Sequence, residues 1–143
     1  MPERAIERAE RTLLIIKPDG VERRLVGVIL ARIERKGYKI DHMRMINVDP
    51  EIAKKHYAEH QGKPYYEKLI NYITSGPVVV AVISGEGCIG GLRYIMGNTD
   101  PLEAAPGTIR GDYATNLTKN LIHGSDSAES AQREIALFFP DVE

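Results

Sequence analysis

The sequence predicts an α+β domain: a four-stranded antiparallel sheet with helices packed on it, in the split βαβ arrangement. Three observations predict it. Short apolar runs of strand character alternate with longer stripes of helical period. The strands are few and short, which disfavours a doubly wound parallel sheet. The chain has 143 residues, the size of one compact domain.

Residues 12–17, Thr-Leu-Leu-Ile-Ile-Lys, are apolar and too short for a helix, and Pro18-Asp19-Gly20 ends them, so they form the first strand. Val26, Ile29, Leu30 and Ile33 lie on one helical face, and Gly37 closes that helix. Residues 38–48 alternate at Tyr38/Ile40 and Met43/Met45, with a slip between His42 and Ile46 that reads as a bulge. Asp49-Pro50-Glu51 is a helix start, with Asp as N-cap and Pro at the first helical position, and the helix runs to about Gln61. Another follows Pro64, with Tyr66, Leu69, Ile70 and Ile73 facing the core and Tyr65 off that face. Gly76-Pro77 breaks it, and Val78–Ser84 is a strand. A helix over about 89–96 leads into a loop at 97–119 rich in Gly, Pro, Asn, Asp and Thr. A loop that long in a compact domain is usually functional. A short strand at 121–123 and a helix over 127–138 follow, the latter opened by a capping-box-like Asp126-x-x-Glu129. The expected order places the helices on one face of the sheet. Residues 1–11 read as a charged N-terminal extension, a short helix or loose arm, and 12–143 as a single domain.

Composition narrows the function classes. Nineteen basic and twenty acidic residues leave a net charge of -1, against broad nucleic-acid binding. The single cysteine, Cys88, allows no internal disulfide. No apolar run approaches the roughly 18 residues that span a bilayer. The charged opening residues carry no secretory apolar region, so a cytoplasmic location is expected.

Two motifs compete as decoys. Gly85-Glu-Gly87-Cys-Ile-Gly90 matches G-x-G-x-x-G, but a dinucleotide site needs a second parallel strand after the helix, and Gly97-Asn98-Thr99-Asp100-Pro101 reads as loop. His56 and His60 are spaced to share a helix face and, with a third ligand, to hold zinc; a solvated helix face is the plainer reading. The chain has no Walker A loop.

The stretch Asn120-Leu-Ile-His123-Gly-Ser-Asp-Ser127 is the most informative. It presents an imidazole at a turn ahead of a helix N-terminus, where anions are favoured. Alone, His123 reads more readily as a turn histidine with local hydrogen bonds. Arg93, Thr99 and Arg110 accompany it around the long loop, and Lys17 ends the first strand. Two guanidinium forks, a hydroxyl, an ammonium and an imidazole suit phosphoryl transfer through a phosphohistidine.

With Ile-Lys-Pro-Asp-Gly-Val at 16–21, Gly-Pro-Val-Val at 76–79, Pro-Gly-Thr-Ile-Arg-Gly-Asp at 106–112 and the His123 stretch, the chain closely resembles the nucleoside diphosphate kinase family from about residue 12 to 139. The resemblance implies a ferredoxin-like fold. It also implies ping-pong transfer of the γ-phosphoryl group from a nucleoside triphosphate to a nucleoside diphosphate, with His123 phosphorylated in between. Glu134 matches the carboxylate that orients the histidine, and Ser125 the hydroxyl supporting it. Arg93, Thr99 and Arg110 match phosphate-binding residues, and Lys17 a lysine contacting phosphate and sugar, with Tyr57 beside it. Asn120 matches the residue reading the sugar 3′-hydroxyl. Tyr65 takes the place of the commoner Phe on which the base stacks, with Leu117 on the other face. Mg²⁺ is expected to ride on the nucleotide phosphates, with no metal ligands from the chain. A homo-oligomer is implied, and Pro101, matching a loop proline of the hexameric assemblies, favours a hexamer over a tetramer. No membrane or nucleic-acid partner is implied. Glycines 87, 90 and 91 stand where the family normally has helix formers. A nucleotide-binding module without turnover is the rival on the same fold; it should have lost one of His123, Glu134 and Ser125.

Overall fold

The computed structural model describes residues 9–142. In chain order these are β1 (Ala9–Ile16), α1 (Pro18–Glu22), α2 (Val26–Lys36), β2 (Lys39–Ile46), α3 (Pro50–His56), a 3₁₀ turn (Ala58–His60), α4 (Tyr66–Ile73), β3 (Val78–Glu86), α5 (Cys88–Met96), α6 (Ile109–Tyr113), β4 (Ile122–Gly124) and α7 (Ala128–Phe138). The sheet order is β2-β3-β1-β4, and every pairing is antiparallel. This is the predicted split βαβ sheet.

β1 lies at the centre because it can be buried on both faces. Leu13, Leu14, Ile15 and Ile16 are all fully buried. Alternate residues enter different cores. Leu14 and Ile16 join Ile29, Ile33, Leu92 and Met96 under α2 and α5. Leu13 and Ile15 join Ala53, Ile70, Ile135 and Phe138 under α3, α4 and α7. Helices therefore cover both faces of the sheet, not one as expected. The second layer is required because β3 is apolar at consecutive residues Val78–Ile83 and would otherwise leave half of them in water.

Four local expectations shift. β1 begins at Ala9 rather than Thr12: its pairing with β3 extends to Ala9, and the Sγ–H of Cys88 reaches Glu10 O while Ile89 N–H donates to Glu10 Oε1, tying Glu10 to the start of α5. The remainder of the proposed extension, residues 1–8, lies outside the described residues. The slip in β2 falls between Ile40 and His42, where Asp41 is the extra residue. The helix from Pro50 stops at His56 and continues only as a 3₁₀ turn. Ser127, not Asp126, caps α7, its Oγ accepting from Ser130 N.

The glycine-rich turn between β3 and α5 is a packing device. Cβ atoms at Gly85 and Gly91 would meet Tyr38, at 2.7 Å from Cδ1 and 1.6 Å from Oη respectively. Tyr38 fills the space those glycines leave, and α5 forms a regular helix despite them. The strand that follows α5, β4, is antiparallel and pairs with β1 at the sheet edge. The dinucleotide reading fails on this topology.

Candidate active site

His123 is the middle residue of β4, opposite Ile15 of β1. The short strand holds its backbone while the ring projects into a cleft lined by His56, Tyr57, Arg93, Asp126 and Glu134. Its Nε2 lies 2.7 Å from Glu134 Oε1. A buried carboxylate accepts hydrogen bonds and cannot donate, so Nε2 carries the proton and Nδ1 keeps the lone pair. Ser125 Oγ–H donates to the same Oε1 at 2.8 Å and accepts from Leu13 N at 3.3 Å. Glu134 is buried, with Arg133 Nη2 3.6 Å from its second oxygen. The chain Leu13–Ser125–Glu134–His123 thus runs from the central strand to the imidazole, fixing both tautomer and ring orientation.

His56 was expected on a solvated face beside His60. It is instead 5% exposed and packs edge-on against His123, ring centroids 4.7 Å apart, with Phe138 at 5.4 Å. Burial, and then the proximity of the His123 ring and of Lys17, push its pKa well below the ordinary histidine value, so it stays neutral. The i, i+4 spacing from His56 to His60 pointed to the wrong partner; the apolar Ala53, three residues before His56 on the same helix, was the available signal that α3 turns a face inward. His60 lies along the same cleft and shares a hydrogen bond with Tyr65 Oη at 3.0 Å.

His56, His123 and Glu134 offer donor atoms within 4.8 Å of one another. The set does not suit Mg²⁺, which takes oxygen ligands. Lys17 and Arg133, close enough to depress the His56 pKa, also oppose a bound cation.

Lys17, Arg110 and Arg93 lie near one another. Lys17 ends β1 just before α1, and its Nζ donates to Asn120 Oδ1 at 2.8 Å. Burial, then the Arg110 charge, lower its pKa to about 8. Arg110, on α6, is 4% exposed; it donates to Asn120 O at 3.2 Å, Gly97 O at 3.1 Å and Ile122 O at 2.6 Å. Three of its five N–H groups are therefore spent on the backbone beneath β4. Burial and the Arg93 charge lower its pKa to about 10. Arg93, on α5, donates to Gly124 O at 3.0 Å. Among the described residues none of these three cations has a carboxylate within salt-bridge distance. Arg93 lines the His123 cleft, and Arg110 lies near enough to both Arg93 and Lys17 for their charges to repel, a grouping suited to an anion.

The remaining residues are placed as follows. Asn120 is buried, and its Nδ2 donates to Thr99 O at 3.1 Å. Thr99 joins through that carbonyl, and its side chain stands in an exposed loop. Tyr57 caps the C-terminus of α3 beside His56, and burial, with the Glu134 charge adding, pushes its phenol up to about 12. Tyr65 and Leu117 are 46% and 62% exposed, and no hydrogen bond joins either to the phosphate cluster. A cleft lined by Glu67, Lys68, Asn116 and Thr118 runs between α4 and the loop that carries Leu117. Pro101 is buried in the long loop.

Comparison with known proteins follows the same geometry. The family model described as nucleoside diphosphate kinase matches residues 10–143. A nucleoside diphosphate kinase of Moorella thermoacetica is 60% identical over 134 residues, covering 94% of this chain and 96% of that protein. One of Pelotomaculum thermopropionicum is 61% identical over 130 residues, covering 91% and 87%. Among solved structures, a halophilic nucleoside diphosphate kinase from Halobacterium salinarum in complex with CDP superposes with a TM-score of 0.90 at 50% identity, covering 92% of this chain and 88% of that one. A family protein from Babesia bovis gives 0.89 at 42% identity, covering 92% and 90%.

Proposed function

The chain belongs to the nucleoside diphosphate kinase family, and we propose that His123 is the residue through which it carries phosphate. The enzyme transfers the γ-phosphoryl group of nucleoside triphosphates to nucleoside diphosphates. The observation that supports His123 is the single hydrogen bond from Nε2 to Glu134, which leaves Nδ1 with its lone pair in the cleft that Arg93 lines.

In the first half-reaction Nδ1 attacks the γ-phosphorus in line. A P–N bond forms, the bond from phosphorus to the β–γ bridging oxygen breaks, and the diphosphate leaves with that electron pair. No proton need leave Nδ1. The imidazole becomes cationic as the bond forms, and the buried Glu134 carboxylate stabilises it through Nε2–H. Arg93, Arg110 and Lys17 balance charge on the phosphates, with Thr99 adding a hydroxyl and Tyr57 lining the cleft. Asn120, held by Lys17 and the Thr99 carbonyl, is the group for the sugar hydroxyl. Tyr65 and Leu117 flank the base. The second half-reaction is the first in reverse with a new diphosphate, so neither step is strongly downhill. Mg²⁺ comes with the nucleotide, where it neutralises phosphate oxygens; the His56–His123–Glu134 donors do not suit it.

We also propose a cytoplasmic homo-oligomer, a hexamer rather than a tetramer, on the strength of Pro101. A binding module without turnover is less well supported, because His123, Glu134 and Ser125 are all present and hydrogen-bonded in series. The test is incubation with Mg²⁺ and γ-labelled ATP. Acid-labile, alkali-stable label on His123, passed to added CDP, is expected. Label that survives acid, or that persists in His123→Ala, refutes the proposal. Light scattering on the same sample gives the oligomer.

A further inference from the structure

Leu121, two residues before His123, has φ +76, a left-handed conformation that is strained for a non-glycine residue. Its side chain is fully buried, so the strain is not relieved by exposure. Both peptide groups around it are captured by the segment that leads from β1 into α1. Leu121 N–H donates to Asp19 Oδ2 at 3.1 Å, and Lys17 N–H donates to Leu121 O at 2.8 Å. Asp19 is itself 7% exposed and is gripped by Tyr72 on α4: the phenol accepts from Asp19 N at 2.8 Å and donates to Asp19 Oδ1 through a very short hydrogen bond. Burial, then the Asp19 hydrogen bond, hold the Tyr72 phenol far above its ordinary pKa, so it remains a donor.

We infer that Asp19 and Tyr72 form a positioning clamp that holds Leu121 in its left-handed conformation and so sets the register of Asn120 and His123 for in-line transfer. The clamp also ties the helix that follows the base-stacking Tyr65 to the strand bearing the nucleophile. Neither Asp19 nor Tyr72 need touch the reacting atoms. Releasing Leu121 lets the chain relax toward negative φ, which rotates the peptides that place Asn120, gripped by Arg110 and Lys17, and His123. A shift of that kind misaligns attack while leaving the cations in place, so it acts on rate more than on affinity.

The inference rests on His123 as the nucleophile, and the test separates the two. Rapid-quench phosphorylation of His123 by MgATP is measured for the wild type, Tyr72→Phe, Asp19→Leu and Asp19→Asn, with thermal melts alongside. Tyr72→Phe should slow phosphorylation at saturating ATP at least fivefold with KM within twofold. Asp19→Leu, of similar size but unable to accept, should slow it at least twentyfold. Asp19→Asn keeps an acceptor for Leu121 N–H and should recover to within threefold of the wild type. If Asp19→Leu does not fold, Tyr72→Phe decides. A Tyr72→Phe rate within twofold of the wild type, whatever its melting temperature, overturns the clamp, as does a loss in Asp19→Asn as large as in Asp19→Leu. A wild-type protein that takes no label on His123 defeats the nucleophile instead.

Discussion

His123 Nε2 and Glu134 Oε1 share a 2.7 Å hydrogen bond that leaves Nδ1 as the ring nitrogen open to the cleft. Removing the carboxylate removes both the tautomer preference and a charge-assisted hydrogen bond, worth roughly 1.5–3 kcal/mol. Glu134→Ala should therefore slow His123 phosphorylation roughly 10- to 150-fold, from that energy at about 1.4 kcal/mol per tenfold. Affinity for CDP, measured calorimetrically, should stay within about twofold, because no phosphate-facing cation is lost. Glu134→Gln keeps an acceptor and should lie between. Equal losses in affinity and rate would contradict an orienting role.

Gly90 and Gly91 are neighbours on α5 with opposite demands. A Cβ at Gly90 meets nothing within 4 Å, whereas one at Gly91 falls 1.6 Å from the Tyr38 hydroxyl. Gly90→Ala should raise stability by roughly 0.5–1 kcal/mol through helix propensity. Gly91→Ala should lower it by about 1–3 kcal/mol through overpacking. Because α5 carries Arg93, Gly91→Ala should also weaken nucleotide binding. Denaturant melts of the two variants give the signs; the same sign for both would show that Tyr38 moves aside freely.

These glycines mark where the sequence stopped being legible. Four strands and the long helices were readable because period 2 and period 3.6 stripes report burial directly. The helices on both faces were not, since an apolar run such as Val78–Ile83 states that two faces are covered without saying by what. At the site, Lys17, Arg93, Arg110, Asn120, His123, Ser125 and Glu134 were legible as motif residues and do converge. Two contacts were invisible. His56, in the last turn of α3, meets His123 across 67 positions of sequence, and Asp19 meets Tyr72 across 53. Both depend on tertiary packing, which local spacing does not encode.

Lys17 makes binding and folding respond to pH in opposite senses. Its pKa is lowered to about 8, below the ordinary 10.5 it regains on unfolding. Between about pH 8 and 10.5 the unfolded chain binds more protons than the folded one. The Lys17 contribution therefore makes the nucleotide-free protein more stable as pH rises through that window. Over the same window the folded site loses its ammonium, so affinity for triphosphate should fall. Chemical denaturation and nucleotide titration at pH 7, 8, 9 and 10 test both signs. Lys17→Arg, permanently charged, should flatten both trends; unchanged slopes in that variant would place the titration elsewhere.

Tyr65 is 46% exposed at the start of α4 and uses its hydroxyl on His60, leaving the ring as its contribution to a base. Stacking is sequence-tolerant because every base has a π face, and each stacked base is worth roughly 1–3 kcal/mol. Tyr65→Ala should raise KM for triphosphates by about 5- to 150-fold on that scale. The rise should be similar for ATP, GTP, CTP and UTP, because no base-edge hydrogen bond is removed. Tyr65→Phe keeps the ring and loses only the His60 contact, so its KM should lie within about twofold of the wild type. Steady-state kinetics with the four nucleotides distinguish the readings. A penalty confined to one base would mean that the site reads base edges, and the broad tolerance expected of a stacking platform would then have to be abandoned.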